Sequence, residues 1–504
     1  MTGYFPFQGN TTETDKLNQL ISQHTPMATD DLKALERAVL RFLKSDERKW
    51  MLLGEAYYEG EHDILKRERT VIGPNGMQVQ AEHLPNNRRV DNQYAMLVDQ
   101  KVNYLLAKPL TVETQNEQYH AALKQVLNKR FHRLLRNVGE ASLNQGLAWL
   151  HPYYDEKGQL AFKRFPAHEI LPFWEDGDKT SVKSAMRIYN IVEPQGTKEK
   201  IVTKVEHYQL DGIDHYEWVN NALIPAEARS YYLTLESYAG EELQVDYLNW
   251  ERLPLIPFKY NHKVIPLIKR VKNLQDAYNK ILSNFENHMD EDTHNTIIVL
   301  ENYDGQNLGE FRHNLAKFGA VKVRSDEGSR GDVRTLEITV NKDNYESILK
   351  LFKRAIIENG KGVDMKDERM GGNMNQMNIQ SMYLDIDLDA NAIETEYQAA
   401  FEDLLWFVNQ DFANKGLGDF EGEQVDIIFN RDVLINETEV IEGLDKSTYL
   451  SEETRIAQHP YVKDVQLELK RKKQEEQAAL NMHDNYDDTF KQKQQGKDGD
   501  EDGE

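Results

Sequence analysis

Apolar residues recur at three- and four-residue intervals through the first third of the chain. Asp30 and Asp31 stand where a cap belongs, ahead of Leu32, Leu35, Val39, Phe42 and Leu43, and predict a helix there. A second helix is predicted after Asn92, with Tyr94, Leu97, Val98 and Val102 on one face, ending before Pro109. Leu123, Val126, Leu127, Phe131, Leu134, Leu135 and Val138 read as one further helix. From Leu147 to Phe258 the pattern changes to short runs of Tyr, Phe, Val and Ile between Gly, Pro and Asp. LAWLHPYYDEKGQLAFKRF, KIVTKVEHYQLDGIDHYEWV and RSYYLTLESY read as hairpins of an antiparallel sheet, with Asp211-Gly212 as a two-residue turn. Pro254, Pro257 and Pro266 are expected to close the sheet region.

A long amphipathic helix comes next, with Val264, Ile268, Val271, Leu274, Tyr278, Ile281, Phe285 and Met289 at helical spacing. Its roughly 27 residues would reach about 40 Å, longer than a compact core of this size needs. A strand-like TIIVL (Thr296–Leu300), a short helix near Leu308–Phe318 and the strand candidates AVKVRS and TLEITV make a small mixed module. A second helix, Asp343 to Asn359, carries Tyr345, Ile348, Leu349, Phe352, Ala355 and Ile356, so the module sits between two helices like a cap on a stalk. Val363–Gln380 is rich in Gly, Asn and Met without a period and reads as a mobile loop. A long helix follows through Leu384, Leu388, Ile393, Tyr397, Ala400, Phe401, Leu404, Leu405, Val408 and Phe412, ending at Gly416. Val425–Phe429 reads as a strand, and Asn436–Leu444 and Ser451–Gln458 as short helices, the latter capped by Ser451. A charged helix from Asp464 to about Gln477 completes the elements. The polar first thirty or so residues are expected to be weakly ordered. The tail Asp484–Glu504, with eight acidic and three basic residues, is expected to be disordered.

Composition narrows the function. The 504 residues allow two to four domains. No apolar run approaches the ~18 residues of a transmembrane helix, and the N-terminus lacks the basic and apolar regions of a signal peptide. The absence of cysteine removes disulfides, thiolate metal sites and cysteine nucleophiles. A net charge of −24 argues against tight, extended DNA wrapping and for a surface to which DNA does not stick. No phosphate-cradling G-x-x-x-x-G-K-[ST], no H-E-x-x-H, no G-x-S-x-G and no dinucleotide glycine fingerprint occurs. Asp385, Asp387, Asp389 and Glu396 match positions 1, 3, 5 and 12 of a calcium loop, but Ala390 stands where the turn needs Gly. The bland alternative is an acidic face near a helix start, and a nuclease metal held by the three aspartates is the rival reading. His62, His168, His262 and His294 are scattered and are expected to be surface or hydrogen-bonded histidines. Basic residues cluster at Lys259–Lys272, Lys317–Arg334 and Lys361–Arg369, each read singly as mixed-sign surface. In the third, Lys366 and Arg369 flank Gly371-Gly372, among amides and adaptable methionines that could meet phosphates without strong attraction.

The order of these parts resembles one family: portal proteins of tailed phages, of the type found in siphophages of Gram-positive bacteria. The segments that carry the resemblance are RVDNQYAMLVDQKVNYLLAKPLTVE (Arg89–Glu113), where Ala107 replaces a usual glycine, and GLAWLHPYYDEKGQLAFKRFPAHEILPFW (Gly146–Trp174). LPLIPFKYN (Leu253–Asn261), NYDGQNLGEFRHNL (Asn302–Leu315), MGGNMNQMNIQSMYLDIDLDANA (Met370–Ala392) and SEETRIAQHPYVKDVQLELKR (Ser451–Arg471) continue it.

The resemblance implies an α+β subunit with wing, long-helix stem, small α/β clip and mostly helical crown, forming a ring of twelve. Its boundaries would be a flexible N-terminus (1–30), wing (31–258), stem helix (259–295), clip (296–340), second stem helix (341–362), tunnel loop (363–380), long wing helix (381–416), crown (417–483) and acidic tail (484–504). Lys366, Arg369, Gly371, Gly372, Asn373, Asn375 and Gln376 would face a DNA channel. Tyr303, Asp304, Phe311, Lys317, Lys322 and Arg324 would face an adaptor, and Lys269, Tyr278, Lys350 and Arg354 would lie on the stem. Implied partners are terminase, a head-completion adaptor, major capsid and scaffolding proteins, and double-stranded DNA. No catalysis, cofactor, metal or membrane is implied. The place is the virion, after assembly in the host cytoplasm.

Overall fold

The computed structural model describes residues 32–477 apart from 73–76, 81–83, 196–197, 240–241, 293–295, 302–324, 327–328, 331, 338–341, 365–375, 432–436, 448, 463–464, 466–467 and 476. Helices come first among the described residues: α1 (Leu32–Leu43), α2 (Asp46–Tyr58), α3 (Gln93–Leu106), α4 (Glu117–Val126) and α5 (Lys129–Gln145). Short strands β1 (Thr70–Ile72), β2 (Gln78–Gln80) and β3 (Thr111–Glu113) lie between them. Helix α2 has no clear sequence period and was not expected. It is fixed at its start by the Ser45 hydroxyl, which accepts from Arg48 N at 3.1 Å. The single helix expected through Leu123 and Val138 is two, because Asn128 caps a new one by accepting from Arg130 N at 2.8 Å. Asn92 caps α3 as its position suggested, accepting from Ala95 N at 2.9 Å.

The middle of the chain is antiparallel sheet. Strands β4 (Leu147–Tyr154), β5 (Leu160–Phe165), β6 (Ile170–Trp174), β7 (Val182–Gln195), β8 (Lys198–Gln209), β9 (Gly212–Val219) and β10 (Ala222–Ser230) lead to β11 (Leu233–Ala239), β12 (Glu242–Leu248) and β13 (Ile256–Lys259). They form a five-stranded sheet in the order β10-β9-β8-β7-β6, a three-stranded sheet β13-β4-β5 and the hairpin β11-β12. The β8–β9 turn falls one residue earlier than expected. Gln209 pairs with Gly212, so Leu210 and Asp211 make the turn and Gly212 opens the next strand. The last strand of the sheet region runs through Pro257 to Lys259. β13 is an edge strand, where a missing N–H costs no ladder bond. Helix α1 lays Leu35, Val39 and Phe42 on Phe173, Met186, Ile188 and Val205 of the five-stranded sheet. A second core joins Met51 of α2 to Trp149, Phe165, Ile170 and Leu255.

Helix α6 (Ile268–Asp292) leaves this body, and its partner α7 (Lys342–Asn359) returns. Between them β14 (Thr296–Glu301) pairs antiparallel with β15 (Asp332–Glu337). The expected helix near Leu308–Phe318 and all of the strand AVKVRS but its last residue, Ser325, lie outside the described residues. The 39-residue helix α8 (Gln376–Asn414) follows, then β16 (Asp426–Ile428), paired with β3, and short helices α9 (Glu437–Lys446) and α10 (Glu452–Ala457). Two compact units emerge, residues 1–364 with 385–432, and residues 365–384 with 433–504. Helix α8 begins at Gln376, so residues 376–380, expected to be loop, are helical. Its buried face is Ile379, Tyr383, Ile386, Ala390, Ile393, Tyr397, Phe401, Leu404 and Val408. Leu384 and Leu388, expected on that face, are 54% and 53% exposed on another.

Candidate functional site

The root of α6 is built from backbone. Tyr260 N donates to Gly146 O and Leu267 N to Leu143 O, both at 3.0 Å, which ties the approach to the helix to the C-terminus of α5. Gly146 sits at φ +89°, and a Cβ there would lie 2.6 Å from Val264 O, so only glycine fits. Val264, expected to begin the helix, is itself left-handed at φ +57° and belongs to the turn before it.

The fully buried stripe along the rest of α6 is polar. Gln275, Asn279, Ser283 and Asn287 recur every four residues and are at most 2% exposed. They grip the extended segment that precedes α3. Asn87 N donates to Asn287 Oδ1 (2.7 Å), Arg89 N to Ser283 Oγ (2.9 Å), Asp91 N to Asn279 Oδ1 (3.1 Å) and Tyr94 N to Gln275 Oε1 (3.1 Å). Four helix residues rise about 6.0 Å and two extended residues about 6.6 Å, so the ladder can stay in step for several rungs. Side chains reinforce it. Arg89 Nε donates to Glu286 at 2.6 Å and the Tyr278 hydroxyl to Asp91 at 2.7 Å. Asn279 Nδ2 also meets His62, whose ring stacks on Tyr57 at 4.3 Å. Burial pulls the His62 imidazole below its ordinary value, so it stays neutral and can accept that bond. Side-chain amides and a serine hydroxyl at strict i, i+4 spacing are the sequence signal for this stripe, a pattern that apolar periodicity does not register.

A charged hub closes the same region. The Asp389 carboxylate of α8 accepts from Lys101 Nζ at 2.7 Å and from the Tyr260 hydroxyl at 2.8 Å. Lys361 Nζ and Arg270 Nη1 lie 3.2 and 3.5 Å from its other oxygen. Burial disfavours the charged form of Asp389. Lys101, Tyr260 and Lys361 outweigh it and hold the carboxyl below the usual carboxylate value. A lysine on an otherwise apolar face of α3 gave no sequence signal for this role.

Two other acidic residues of the calcium-like pattern are claimed separately. Asp387 takes Arg431 and the Tyr104 hydroxyl (2.9 Å), and Glu396 lies 3.7 Å from Lys259. Among the described residues no group of three or more His, Asp or Glu side chains is placed to hold a metal. The basic run Lys259–Lys272, read as solvated surface, is largely structural. Lys259 is buried, Arg270 serves the hub, and Lys272 lies between Asp63 (2.5 Å) and Asp276 (2.7 Å).

Of the residues expected on the stem, Lys269 lies 5.8 Å over the Trp50 ring and Tyr278 is buried on the ladder. Lys350 and Arg354 form helix-face pairs with Glu346 and Glu358. Gln376 is the first residue of α8. Lys366, Arg369, Gly371, Gly372, Asn373 and Asn375 lie outside the described residues, as do Tyr303, Asp304, Phe311, Lys317, Lys322 and Arg324.

What these elements define is a scaffold. Two long helices stand on a helix-and-sheet body, and buried polar side chains fasten the first of them to the segment before α3. The family described as "Phage portal protein, SPP1 Gp6-like" matches residues 44–482. The chain is 27% identical over 484 residues to the portal protein of Bacillus phage SPP1, covering 94% of this chain and 92% of that one. It is 24% identical over 436 residues to the portal protein of Clostridium phage phiCD119, covering 83% and 91%. The chain belongs to the SPP1 Gp6-like phage portal protein family, whose members are structural, non-catalytic components of the virion.

Proposed function

We propose that the chain is the repeating subunit of a ring, twelve copies in the virion, at one vertex of the capsid. Double-stranded DNA passes through it during packaging and ejection without sequence-specific contact. In this reading α6 and α7 are the stem, residues 296–340 the clip, 31–258 the wing and 417–483 the crown. The channel loop is residues 363–375, since α8 begins at Gln376. The clip docks a head-completion adaptor, an ATP-hydrolysing terminase engages from outside, and major capsid and scaffolding proteins surround the wing. Assembly takes place in the host cytoplasm.

The observation that carries this reading is apolar surface left uncovered on the stem. Met289 is 50% exposed on α6, and Ile348 and Leu351 are 41% and 68% exposed on α7. A row of such residues on two long helices is what neighbouring subunits of a ring would bury. Negative-stain electron microscopy with a solution mass tests it. Rings with a central hole, near twelve or thirteen chains, are expected. A monomer at every concentration, including in the presence of scaffolding protein, would contradict it. Deleting Met370–Asn375 is expected to leave rings intact and impair packaging, and normal packaging by that variant would remove the loop's role.

A further inference from the structure

Two adjacent residues of α3 hold two chain ends that are far apart in sequence. Gln100 clasps the peptide of Val363 from both sides, its Nε2 donating to Val363 O at 2.8 Å and its Oε1 accepting from Val363 N at 2.9 Å. Lys101 donates to Lys361 O at 3.0 Å and to Asp389 at 2.7 Å. The chain leaving α7 is therefore fastened beside the turn of α8 that carries Asp389, and Lys361 joins the same carboxylate. Close packing presses it there. A Cβ on Gly360 or Gly362 would lie 2.5 or 2.3 Å from the Leu97 side chain of α3. Tyr104, one turn further on, reaches Asp387. The pair at the centre is dry, with the Lys101 and Asp389 side chains 1% and 5% exposed. Separating one arm leaves buried charge or backbone without a partner, which makes stepwise opening unfavourable compared with opening both arms together.

We propose that Gln100 and Lys101 make α3 a common latch for the two chain ends that bracket residues 365–375, so that the exit of α7 and the Asp389 turn of α8 release and re-form as one unit. The device stands whether or not those residues face a channel.

Hydrogen exchange with peptide-level mass spectrometry on the full chain tests the coupling. Gln100→Ala breaks only the arm on Val363. It is expected to speed exchange tenfold or more in residues 360–364 and also in 385–393, which Gln100 does not touch. Asp389→Asn breaks the other arm with little change of shape, and is expected to speed the same two stretches. The β4 core, residues 147–150, is expected to keep its parent rate in both variants. Faster exchange confined to the mutated arm, with the other within twofold of parent, overturns the latch. So does an equal rise in β4, which would mean general loosening. If Asp389→Asn does not fold, Gln100→Ala alone decides.

Discussion

The polar ladder on α6 can be tested one rung at a time, and Asn279 is the rung with most at stake. Asn279→Ala removes the acceptor of Asp91 N–H (3.1 Å), the contact of Asn279 Nδ2 with His62 (2.9 Å) and the contact with Gln275 (3.1 Å). Gln275 Nε2 keeps Asp91 O at 2.8 Å, so the groups stranded in a buried site are the Asp91 amide and the His62 nitrogen. Each stranded buried group costs about 1–3 kcal/mol, and water admitted to the new space offsets part of it, giving a loss of about 2–4 kcal/mol. The strap carries its own reporter, because Arg88 and Arg89 are consecutive trypsin sites that must leave the helix to be cut. When opening is fast relative to cleavage, the cutting rate follows the open population. At 1.4 kcal/mol per tenfold, release of fragments ending at Arg88 or Arg89 should rise about 30- to 700-fold. Lys280→Ala, on the exposed side of the same helix, should leave the rate unchanged. Cutting of Asn279→Ala within twofold of parent would refute the claim that these side chains hold the strap.

Three further outcomes follow from the geometry. Gly54→Ala would put a Cβ 1.8 Å from Asn144 O, a backbone atom that cannot turn aside, so a loss above about 4 kcal/mol is expected; a soluble variant melting within 2 °C of parent, by calorimetry, would contradict it. His151, His168 and His207 are each pushed down from 6.5 to about 4, first by burial. The unfolded chain therefore binds more protons below pH 6.5, and stability should fall steadily from about pH 6.5 to pH 4, by up to about 3 kcal/mol per histidine. Melting curves across that window check it, and His207→Gln should flatten the slope. Leu351→Glu places a charge on the 68% exposed position of α7 and should leave the far-ultraviolet circular dichroism of the subunit unchanged while sedimentation shows fewer rings; undiminished rings would argue against a subunit contact there.

The sequence was most legible where one side chain or one period decides the structure. Asn92 and Ser451 cap the helices expected of them, and the periods in α1 and in the latter half of α8 mark faces that are buried. It was least legible where local and long-range demands conflict. Leu384 and Leu388 share the spacing of a core face, yet Ile379, Tyr383 and Ile386 occupy the core, because the tertiary partner chooses between two apolar stripes. The apolar period of α6 does not by itself mark a face buried within the subunit: Leu274, Ile281 and Phe285 are only half-buried and Met289 is exposed, while the amides and serine are fully enclosed. Nor does the spacing of Asp387 and Asp389 reveal that their cations come from residues as distant as Arg431 and Lys101.

The backbone bonds at the root of α6 have a mechanical consequence. A helix of 25 residues is a lever about 37 Å long, so a tilt of only 5° at its base would carry its far end through about 3 Å. That distance is the length of a hydrogen bond, enough to separate a contact at the tip. Side-chain fastenings can change rotamer and let such a lever swing. The Leu267–Leu143 and Tyr260–Gly146 bonds join main chain to main chain, beside a glycine that cannot be enlarged. The pivot is stiff where the arm is long, and the aim of the helix is set at its root, just before Ile268, and kept along its length by the ladder to residues 87–94.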